Sequence, residues 1–551
     1  MFRTLVRYIG PFVALTGAAA AARAEFPSGV MSGDVTDSAA VLAARTDAPE
    51  SLRLEVARDA DFAQLIVTDV ADTTLDNGLT AKLDVAGLSP ATLYYYRFVR
   101  LRDGAHSPVG RFRAAPPADE PASFRFVFSG DSDARAQPFV VLASAAGEQP
   151  DLWFWFGDTI YGDVPAGGLG VATTLDDYRA KYRQNLSDTH LQSLLAAAPV
   201  WVGWDDHEVI NDYDGGDPEP DLPREQIEAG YRAFFENLPI RPQGVAGDAY
   251  RTYRSFRYGA LAEFFILDGR QYRSADASRV VGGGPRVDPF AQFLPTRDEA
   301  FLAVTRDPGR TMLGAAQFEW LVNGLIQSTA RYKFIINPVP FTSLLVLPDD
   351  RWDGYDAERY ALLRALDRAG VTGIIVLTTD SHANTVNPDV TWYLRHALGR
   401  RFSRGFRVPE LIAGPIGTGT LGGTVRRAAT MVLGGGDNPP ATAFSAGLVE
   451  YAAQRVAALN QLTFVEPDRY AYLVVDVSPD GVRLTHRGIS TEAAAQFRGG
   501  ALMEPPGAVD LNTVFFAAES GAPSPPCFLL PLLVFAVGFA SCVVAARKQR
   551  S

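Results

Sequence analysis

Cysteine is nearly absent from this chain, with only Cys527 and Cys542 in 551 residues. Both lie close to the C-terminus, so a disulfide framework is excluded for the rest of the chain. A thiolate metal site and a catalytic cysteine are excluded there for the same reason. Because only six histidines are present, candidate ligands and catalytic groups must come mainly from Asp, Glu, Asn and Tyr.

Positive charge is also in short supply, since Lys and Arg total 51 against 63 Asp and Glu, a formal net charge of −12. This composition disfavours a nucleic-acid-binding scaffold, because phosphate backbones are held mainly by Lys and Arg. An acidic protein that acts on phosphate must concentrate positive charge at one place. A bound metal ion is a compact way to do so.

Both termini resemble targeting segments. Arg3 and Arg7 precede an apolar run that ends in a small-x-small motif, so we interpret residues 1–24 as a signal peptide. At the other end, residues 527–546 are uncharged, long enough to cross a bilayer and followed by basic residues. We expect an exported protein, periplasmic or on the cell surface, that is anchored in the membrane by this C-terminal helix. The alternative is that the tail is a processed sorting signal.

The pattern changes along the chain divide it into regions. Residues 26–115 alternate apolar and polar side chains between turn residues, which predicts a small all-β domain of the fibronectin or immunoglobulin type. Residues 122–495 alternate apolar runs with helical patterns, which predicts an α/β catalytic domain. A linker is expected at 498–525, ahead of the apolar tail. Helices are predicted at 176–186, 223–237, 315–328 and 355–369.

The most informative feature of the α/β region is the set of polar residues at the ends of its apolar runs. The runs end in Gly-Asp twice, then in Asp-Asp-His-Glu, in Asp-Gly-Arg, in Asn and in Asp-Ser-His; the residues concerned are Asp131, Asp158, Asp205, Asp206, His207, Asp268, Arg270, Asn337, Asp380 and His382. The carboxyl ends of strands in an α/β sheet meet at one edge, where sites form. Carboxylates that converge there repel one another unless cations neutralise them. One Gly-Asp alone is often only a turn, but the set predicts metal binding.

Several segments resemble motifs of the alkaline phosphatase D family. They are Gly157-Asp158-Thr159-Ile160-Tyr161, Trp204-Asp205-Asp206-His207-Glu208, Arg351-Trp352-Asp353-Gly354-Tyr355 with Glu358-Arg359, Asp380-Ser381-His382 and Gly29-Val30-Met31-Ser32-Gly33-Asp34. The resemblance covers roughly residues 26–490. It implies a four-layer α/β/β/α metallophosphoesterase sandwich, similar to calcineurin-like proteins and purple acid phosphatases. The small β domain precedes this sandwich in the chain.

The resemblance also implies roles at the matching positions. Asp158 would bridge two metal ions about 3.5–4 Å apart that bind the phosphate and activate a water. Asp131, Tyr161 and His382 would complete one metal site, and Asp206, Asn337 and Asp380 the other. Asp205 or Asn211 could replace Asp206. A phenolate ligand favours ferric iron and an all-oxygen site suits Ca²⁺, so Ca²⁺ with Fe³⁺ or a second divalent ion is expected.

Two further residues are candidates for catalysis. His207 could stabilise the transition state or protonate the leaving group, and the alternative is that it orients a ligand. Arg270 could clamp the phosphate, because its guanidinium matches phosphate oxygens, and the alternative is a salt bridge with Asp268. The predicted activity is phosphomonoester hydrolysis. A phosphodiesterase or phospholipase with the same metals, and a non-catalytic surface protein stabilised by metals, are the alternatives.

Two positions depart from the family pattern. Asp131 stands where members often carry a cysteine iron ligand, and Thr379 replaces the glycine of the Gly-Asp-x-His motif. The first departure bears directly on which metal the site would select, because a carboxylate is a harder ligand than a thiolate.

Overall fold

The computed structural model describes residues 26–216, 222–281, 299–344, 350–432 and 439–518. The predicted signal peptide at 1–24 and the predicted tail helix at 527–546 lie outside these residues. Within the described ranges, none of the helices combines the length and apolar character that a membrane crossing requires.

Three sheets organise the described chain, and their strands are numbered in chain order. The nine-stranded sheet has, from edge to edge, β20 (Val509–Ala517), β19 (Gly481–Ser490), β18 (Arg469–Ser478), β8 (Phe124–Ser129), β9 (Leu152–Phe156), β10 (Val200–Gly203), β1 (Val30–Gly33), β2 (Ala39–Arg45) and β5 (Thr80–Ala86). The seven-stranded sheet has β11 (Arg254–Tyr258), β12 (Ala262–Ile266), β13 (Tyr332–Asn337), β14 (Ile374–Thr378), β16 (Glu410–Ile412), β15 (Asn384–Asn387) and β17 (Phe464–Glu466). The four-stranded sheet has β4 (Leu65–Thr73), β3 (Glu50–Ala57), β6 (Leu93–Arg100) and β7 (Gly110–Arg113).

The helices lie between these strands in the chain. They span Val140–Gly147, Leu175–Leu186, Thr189–Ala197, Arg224–Asn237, Ala277–Val280, Glu299–Thr305, Gly314–Gln327, Asp356–Ala369, Thr391–His396, Leu421–Val432, Pro439–Asn460 and Thr491–Arg498. All four helices predicted from the sequence are present within one residue of the expected bounds. Local chemistry fixes the ends of some of them: Thr174 and Asp177 form a capping box at the start of Leu175–Leu186.

The two large sheets pack face to face on an aromatic core. Phe126 of β8 contacts Phe264 of β12 and Phe334 of β13, with ring centroids 5.4 Å apart in both pairs. Along each strand of these sheets, alternate residues point away from the neighbouring sheet. On β9, Trp153 and Trp155 point this way and belong to a separate core beneath the helices. The strands have continuous apolar sequences because both of their faces are buried.

Helices cover the outer faces of both large sheets. The outer core of the nine-stranded sheet includes residues from Val140–Gly147, Leu175–Leu186 and Arg224–Asn237. That of the seven-stranded sheet includes residues from Gly314–Gln327 and Asp356–Ala369. This arrangement confirms the predicted four-layer α/β/β/α sandwich.

The N-terminal region is all-β, as predicted, but its strands are divided between two sheets. β1, β2 and β5 continue the nine-stranded sheet, and β1 pairs in parallel with β10 of the α/β region. β3, β4, β6 and β7 form the small sheet, which shares a hydrophobic core with those three strands. The N-terminal strands are therefore continuous with the sheet that carries Asp158.

The expected linker at 498–525 requires a correction. Residues Val509–Ala517 form the edge strand β20, which pairs antiparallel with β19 and buries Phe516. The Gly- and Pro-rich residues before and after this segment gave it the composition of a linker. The long-range pairing with β19 supplies the backbone partners that the local pattern did not reveal.

Candidate metal centre

The predicted ligands meet at one edge of the two-sheet core. Asp131 follows β8 and Asp158 follows β9, while Asp380 and His382 follow β14 of the second sheet. All four residues have backbone φ between 50° and 66°. This left-handed conformation is uncommon outside glycine and costs about 1–3 kcal/mol per residue, and it clusters at functional sites.

The loop conformations depend on glycine at the first of these turns. A Cβ at Gly130 would lie 2.0 Å from the carbonyl oxygen of Phe156, so any side chain there would push the first loop away from the second. The close approach allows the Asp131 N–H to donate to the carbonyl of Gly157 at 3.2 Å. The two Gly-Asp turns therefore hold each other in place.

Three groups of side chains are close enough to hold a cation. Ligand atoms of Asp131, Asp158 and His382 lie within 4.8 Å of one another, and so do those of Asp158, Asp206 and His207. A third group is formed by Asp206 with Asp212 and Asp350, and the sequence did not predict a role for these last two. Asp158 belongs to both of the first two groups, which is the position expected of a bridging ligand.

Tyr161 and Asn337 also reach this edge. The Tyr161 hydroxyl lies 3.2 Å from His382 Nε2. Asn337 is fully buried at the end of β13 and donates through Nδ2 to the carbonyl of Val339. Its amide oxygen Oδ1 accepts no hydrogen bond from the described residues and is therefore available to a metal ion. The structure therefore places these two predicted donors at the edge that carries Asp158.

Two observations indicate that these donor atoms are suited to bind cations. Among the described residues, Asp131 Oδ2, Asp205 Oδ2 and Asn337 Oδ1 are buried oxygens that accept no hydrogen bond. Burial, followed by the neighbouring carboxylates, raises the pKa of Asp131 and of Asp158 well above the usual range. Several buried carboxylates so close together cannot all be ionised without compensating positive charge, and bound cations would supply it.

His207 is held in a defined orientation. Its Nδ1 lies 2.6 Å from Asp163 Oδ1, and its ring stacks on Tyr161 with centroids 4.1 Å apart. Burial lowers the pKa of His207, but Asp206 and Asp163 outweigh it and raise the pKa to about 10. The neighbouring carboxylates thus favour the imidazolium form, and cations bound at the same carboxylates would oppose it.

Arg270 does not occupy the position of a phosphate clamp. Its side chain is fully buried, with Nε 2.6 Å from Asp205 Oδ1 and Nη1 2.5 Å from Asp350 Oδ1. The alternative pairing is not formed either, because Asp268 accepts from the backbone N–H of Arg270 rather than from its guanidinium. The opposite charges of this buried network satisfy Arg270 before any substrate arrives.

A cavity of about 310 Å³ opens beside the donor cluster. Asp158, Asp206, His207, Asp380 and His382 contribute to its wall. Asn211, which was predicted as an alternative ligand to Asp206, also lines the cavity, whereas Asp205 and Arg270 do not. A second, aliphatic wall comes from helices Leu421–Val432 and Pro439–Asn460.

An arginine does line the cavity: it is Arg351, whose Nε lies 2.6 Å from Asp380 Oδ2. Sequence reasoning missed this residue, together with Asp163 and Asp350. A signal was present for two of them: Asp163 lies two residues after the Gly157–Tyr161 motif, and Arg351 is the first residue of the Arg351–Tyr355 motif. Asp350 carried no signal of its own.

The two-sheet fold is that of the purple acid phosphatases. The structure matches a purple acid phosphatase, PPD1 of yellow lupin, with a TM-score of 0.50 at 12% identity, covering 84% of this chain and 71% of that one. The family model for PhoD-like phosphatases matches residues 126–485, and the model of the N-terminal domain of PhoD-like phosphatases matches residues 13–116. The chain therefore belongs to the PhoD-like phosphatase family.

Two individual relatives agree with this assignment. Alkaline phosphatase D of Bacillus subtilis (strain 168) is 32% identical over 398 residues, which are 65% of this chain and 64% of that protein. The alignment thus spans slightly less than two thirds of the relative. A solved structure of PhoD has a TM-score of 0.71 at 24% identity and covers 96% of this chain and 98% of that one.

Proposed function

We propose that the protein is a metal-dependent phosphoesterase that hydrolyses phosphate monoesters at the Asp158 centre. The observation that carries this proposal is the position of Asp158, whose carboxylate lies within 4.8 Å of ligand atoms of Asp131 and His382 on one side and of Asp206 on the other. The membership of the PhoD-like phosphatase family supports the same reaction class.

In this proposal Asp158 would hold both metal ions. Asp131, Tyr161 and His382 would complete one site, and Asp206, Asn337 and Asp380 would complete the other. When bound, the two cations would draw charge from the phosphate oxygens and supply hydroxide near neutral pH. Burial, followed by Asp158 and Asp131, raises the pKa of Tyr161 well above its usual range, so a strongly charged ion such as Fe³⁺ would favour its phenolate form. The oxygen-rich second site suits Ca²⁺.

The remaining roles belong to residues that are not metal ligands in this proposal. Asp163 accepts from Nδ1 of His207 and fixes the ring, so that Nε2–H can donate to the leaving oxygen. Arg351 lies at the charged wall of the cavity and would hold a phosphate oxygen once Asp380 is engaged by metal. Arg270 positions Asp205 and Asp350 instead.

The test pairs metal analysis of the purified protein with hydrolysis of a chromogenic phosphomonoester and a diester. We expect two tightly bound metals per chain, turnover that a chelator removes and metal restores, and faster cleavage of the monoester. Faster cleavage of the diester would assign the same centre to a phosphodiesterase. A folded sample with neither metal nor turnover would instead indicate a non-catalytic surface protein.

We also propose that the protein is exported. The basic and then apolar N-terminal segment, residues 1–24, supports this, and segment 527–546 would serve as the anchor. Fractionation of cells that express the full chain would test both points. Activity confined to the cytoplasmic fraction would contradict export, and activity released without detergent would contradict anchoring.

A further inference from the structure

The cavity beside the donor cluster has two chemically different walls. One wall carries the carboxylates, His207 and Arg351 described above. The other is aliphatic and includes Val425, Val449, Val456 and Val465. None of the described lining residues from the two helices at 421–432 and 439–460 is charged. A site for phosphate and metal alone needs no such wall.

The aliphatic wall includes a regular stripe on helix Pro439–Asn460. Val449, Ala452, Ala453 and Val456 follow the i, i+3, i+4, i+7 spacing of one helix face, and all four line the cavity. The opposite face carries polar and charged side chains that are exposed, such as Glu450 and Arg455. An apolar stripe of this kind normally packs against a protein core. Here Ala452, Ala453 and Val456 retain partial exposure toward the cavity instead.

Two hydrogen bonds anchor the wall to the rest of the fold, and one of them reaches a candidate ligand. The backbone N–H of Leu421 donates to the carbonyl of His382 at 2.9 Å, so the first helix begins at a candidate ligand. Asn460 Nδ2, at the end of the second helix, donates to the carbonyl of Ser343 at 2.7 Å. The distance between the apolar stripe and the phosphate-binding groups is therefore set by the fold.

We infer that the aliphatic wall binds the organic group of the substrate, so that the preferred substrates are phosphate esters with an apolar alkyl group. This inference rests on the proposed phosphoesterase function and specifies its substrate class. A sugar or charged group against this wall would lose hydrogen bonds to water without replacement, whereas an alkyl group would gain by leaving water.

The first experiment compares primary alkyl phosphates from ethyl to octyl. Their leaving alcohols differ little in acidity, so chain length changes contact with the wall and not the chemistry. We expect kcat/KM to rise roughly threefold per methylene over the first few carbons, slightly below the factor that ~0.8 kcal/mol per buried methylene gives. A kcat/KM that does not depend on chain length would overturn the inference.

Variants on the helix locate the effect. Ala453→Phe fills the cavity wall, and Val456→Asn places an amide there at similar volume. Both should lower the octyl-to-ethyl ratio of kcat/KM by about tenfold, the loss of roughly two methylene contacts. Ala458→Phe is the matched control, because Ala458 is exposed on the same helix and does not line the cavity. A ratio that is unchanged in both wall variants would refute the role of the stripe.

Binding of alkylphosphonates, which are not hydrolysed, separates this inference from the proposed function. Calorimetry should give tighter binding and a more negative heat-capacity change as the chain lengthens. If no ester is cleaved but this trend appears, the proposed function fails and the apolar subsite stands. If esters are cleaved and the trend is absent, the subsite fails alone. A trend that appears only after removal of residues 519–551 would assign the wall to the protein's own tail and overturn the inference.

Discussion

Replacing Arg270 by methionine would distinguish a structural role from substrate binding. The guanidinium is fully buried and makes three short contacts with carboxylates, to Asp205 Oδ1 at 2.6 Å and to the two oxygens of Asp350 at 2.5 and 3.0 Å. Methionine matches the length of the aliphatic stem but provides no charge. The substitution therefore removes the guanidinium that Asp205 and Asp350 share, although Asp350 keeps Arg273 Nη2 at 2.8 Å.

The contacts set the size of the effect. Three hydrogen bonds to charged groups, at about 1.5–3 kcal/mol each, give an upper range of roughly 5–9 kcal/mol. The carboxylates can take up protons once the guanidinium is gone, which limits the loss. Breaking one side of a buried ion pair typically costs about 3–5 kcal/mol, and we expect Arg270→Met to lower the free energy of unfolding by that amount.

The assay combines urea unfolding of the metal-loaded protein with steady-state kinetics. Arg351→Met is the matched control, because Arg351 lines the cavity. For this control we expect a smaller loss of stability and a kcat/KM lowered roughly 10–100-fold, the equivalent of one hydrogen bond to a charged phosphate at about 1.5–3 kcal/mol. An Arg270→Met protein with a wild-type urea midpoint and a raised KM would refute this reasoning. It would show instead that Arg270 binds the phosphate of the substrate.

Asp158, Asp163 and Lys82 provide three further tests. Asp158→Asn should abolish hydrolysis and lower the metal content while circular dichroism remains native, and wild-type turnover in this variant would show that the bridging assignment is wrong. Asp163→Asn should lower kcat about 10–100-fold with the metal content unchanged, because the carboxylate orients His207; a change in KM alone would contradict that role. Burial lowers the pKa of Lys82 from 10.5 to about 8, so the folded state binds fewer protons than the unfolded state between these values and stability rises with pH across that window. Relative to Lys82→Met, the free energy of unfolding of the wild type should therefore increase by about 2.5 kcal/mol between pH 8 and 10.5, and a constant difference measured by urea unfolding would contradict this.

Much of the candidate centre was predictable because strand ends are local features. An apolar run that ends in Gly-Asp, Asp-Asp-His or Asp-Ser-His marks the point where a strand leaves the core, and the carboxyl ends of neighbouring parallel strands share an edge. The helices were predictable for a similar reason, since their apolar stripes repeat within a single segment. The family resemblance supplied the four-layer arrangement, which no local pattern contains.

The features that were missed depend on contacts between distant segments. Arg270 and Asp350 are separated by 80 positions, and nothing near either residue indicates that they pair. The edge strand β20 likewise depends on β19 for its backbone partners. An arginine after a strand end suits phosphate, which made Arg270 a candidate clamp with a salt bridge to Asp268 as the alternative, but the same position suits a buried carboxylate network equally well.

The backbone at the centre restricts the residue types beyond what coordination requires. Asp131, Asp158 and Asp380 all have left-handed φ values, a conformation that β-branched and bulky residues adopt only under strain and that Asp tolerates better than most. Glycine would accept the same conformation at no cost but could not supply an oxygen ligand. Glutamate could supply the oxygen, but its longer side chain would place it about one bond further out. Aspartate at these turns therefore satisfies the geometry of the loop and the reach to a cation at once, and this is why the Gly-Asp pattern carried more information than the charge of its carboxylates.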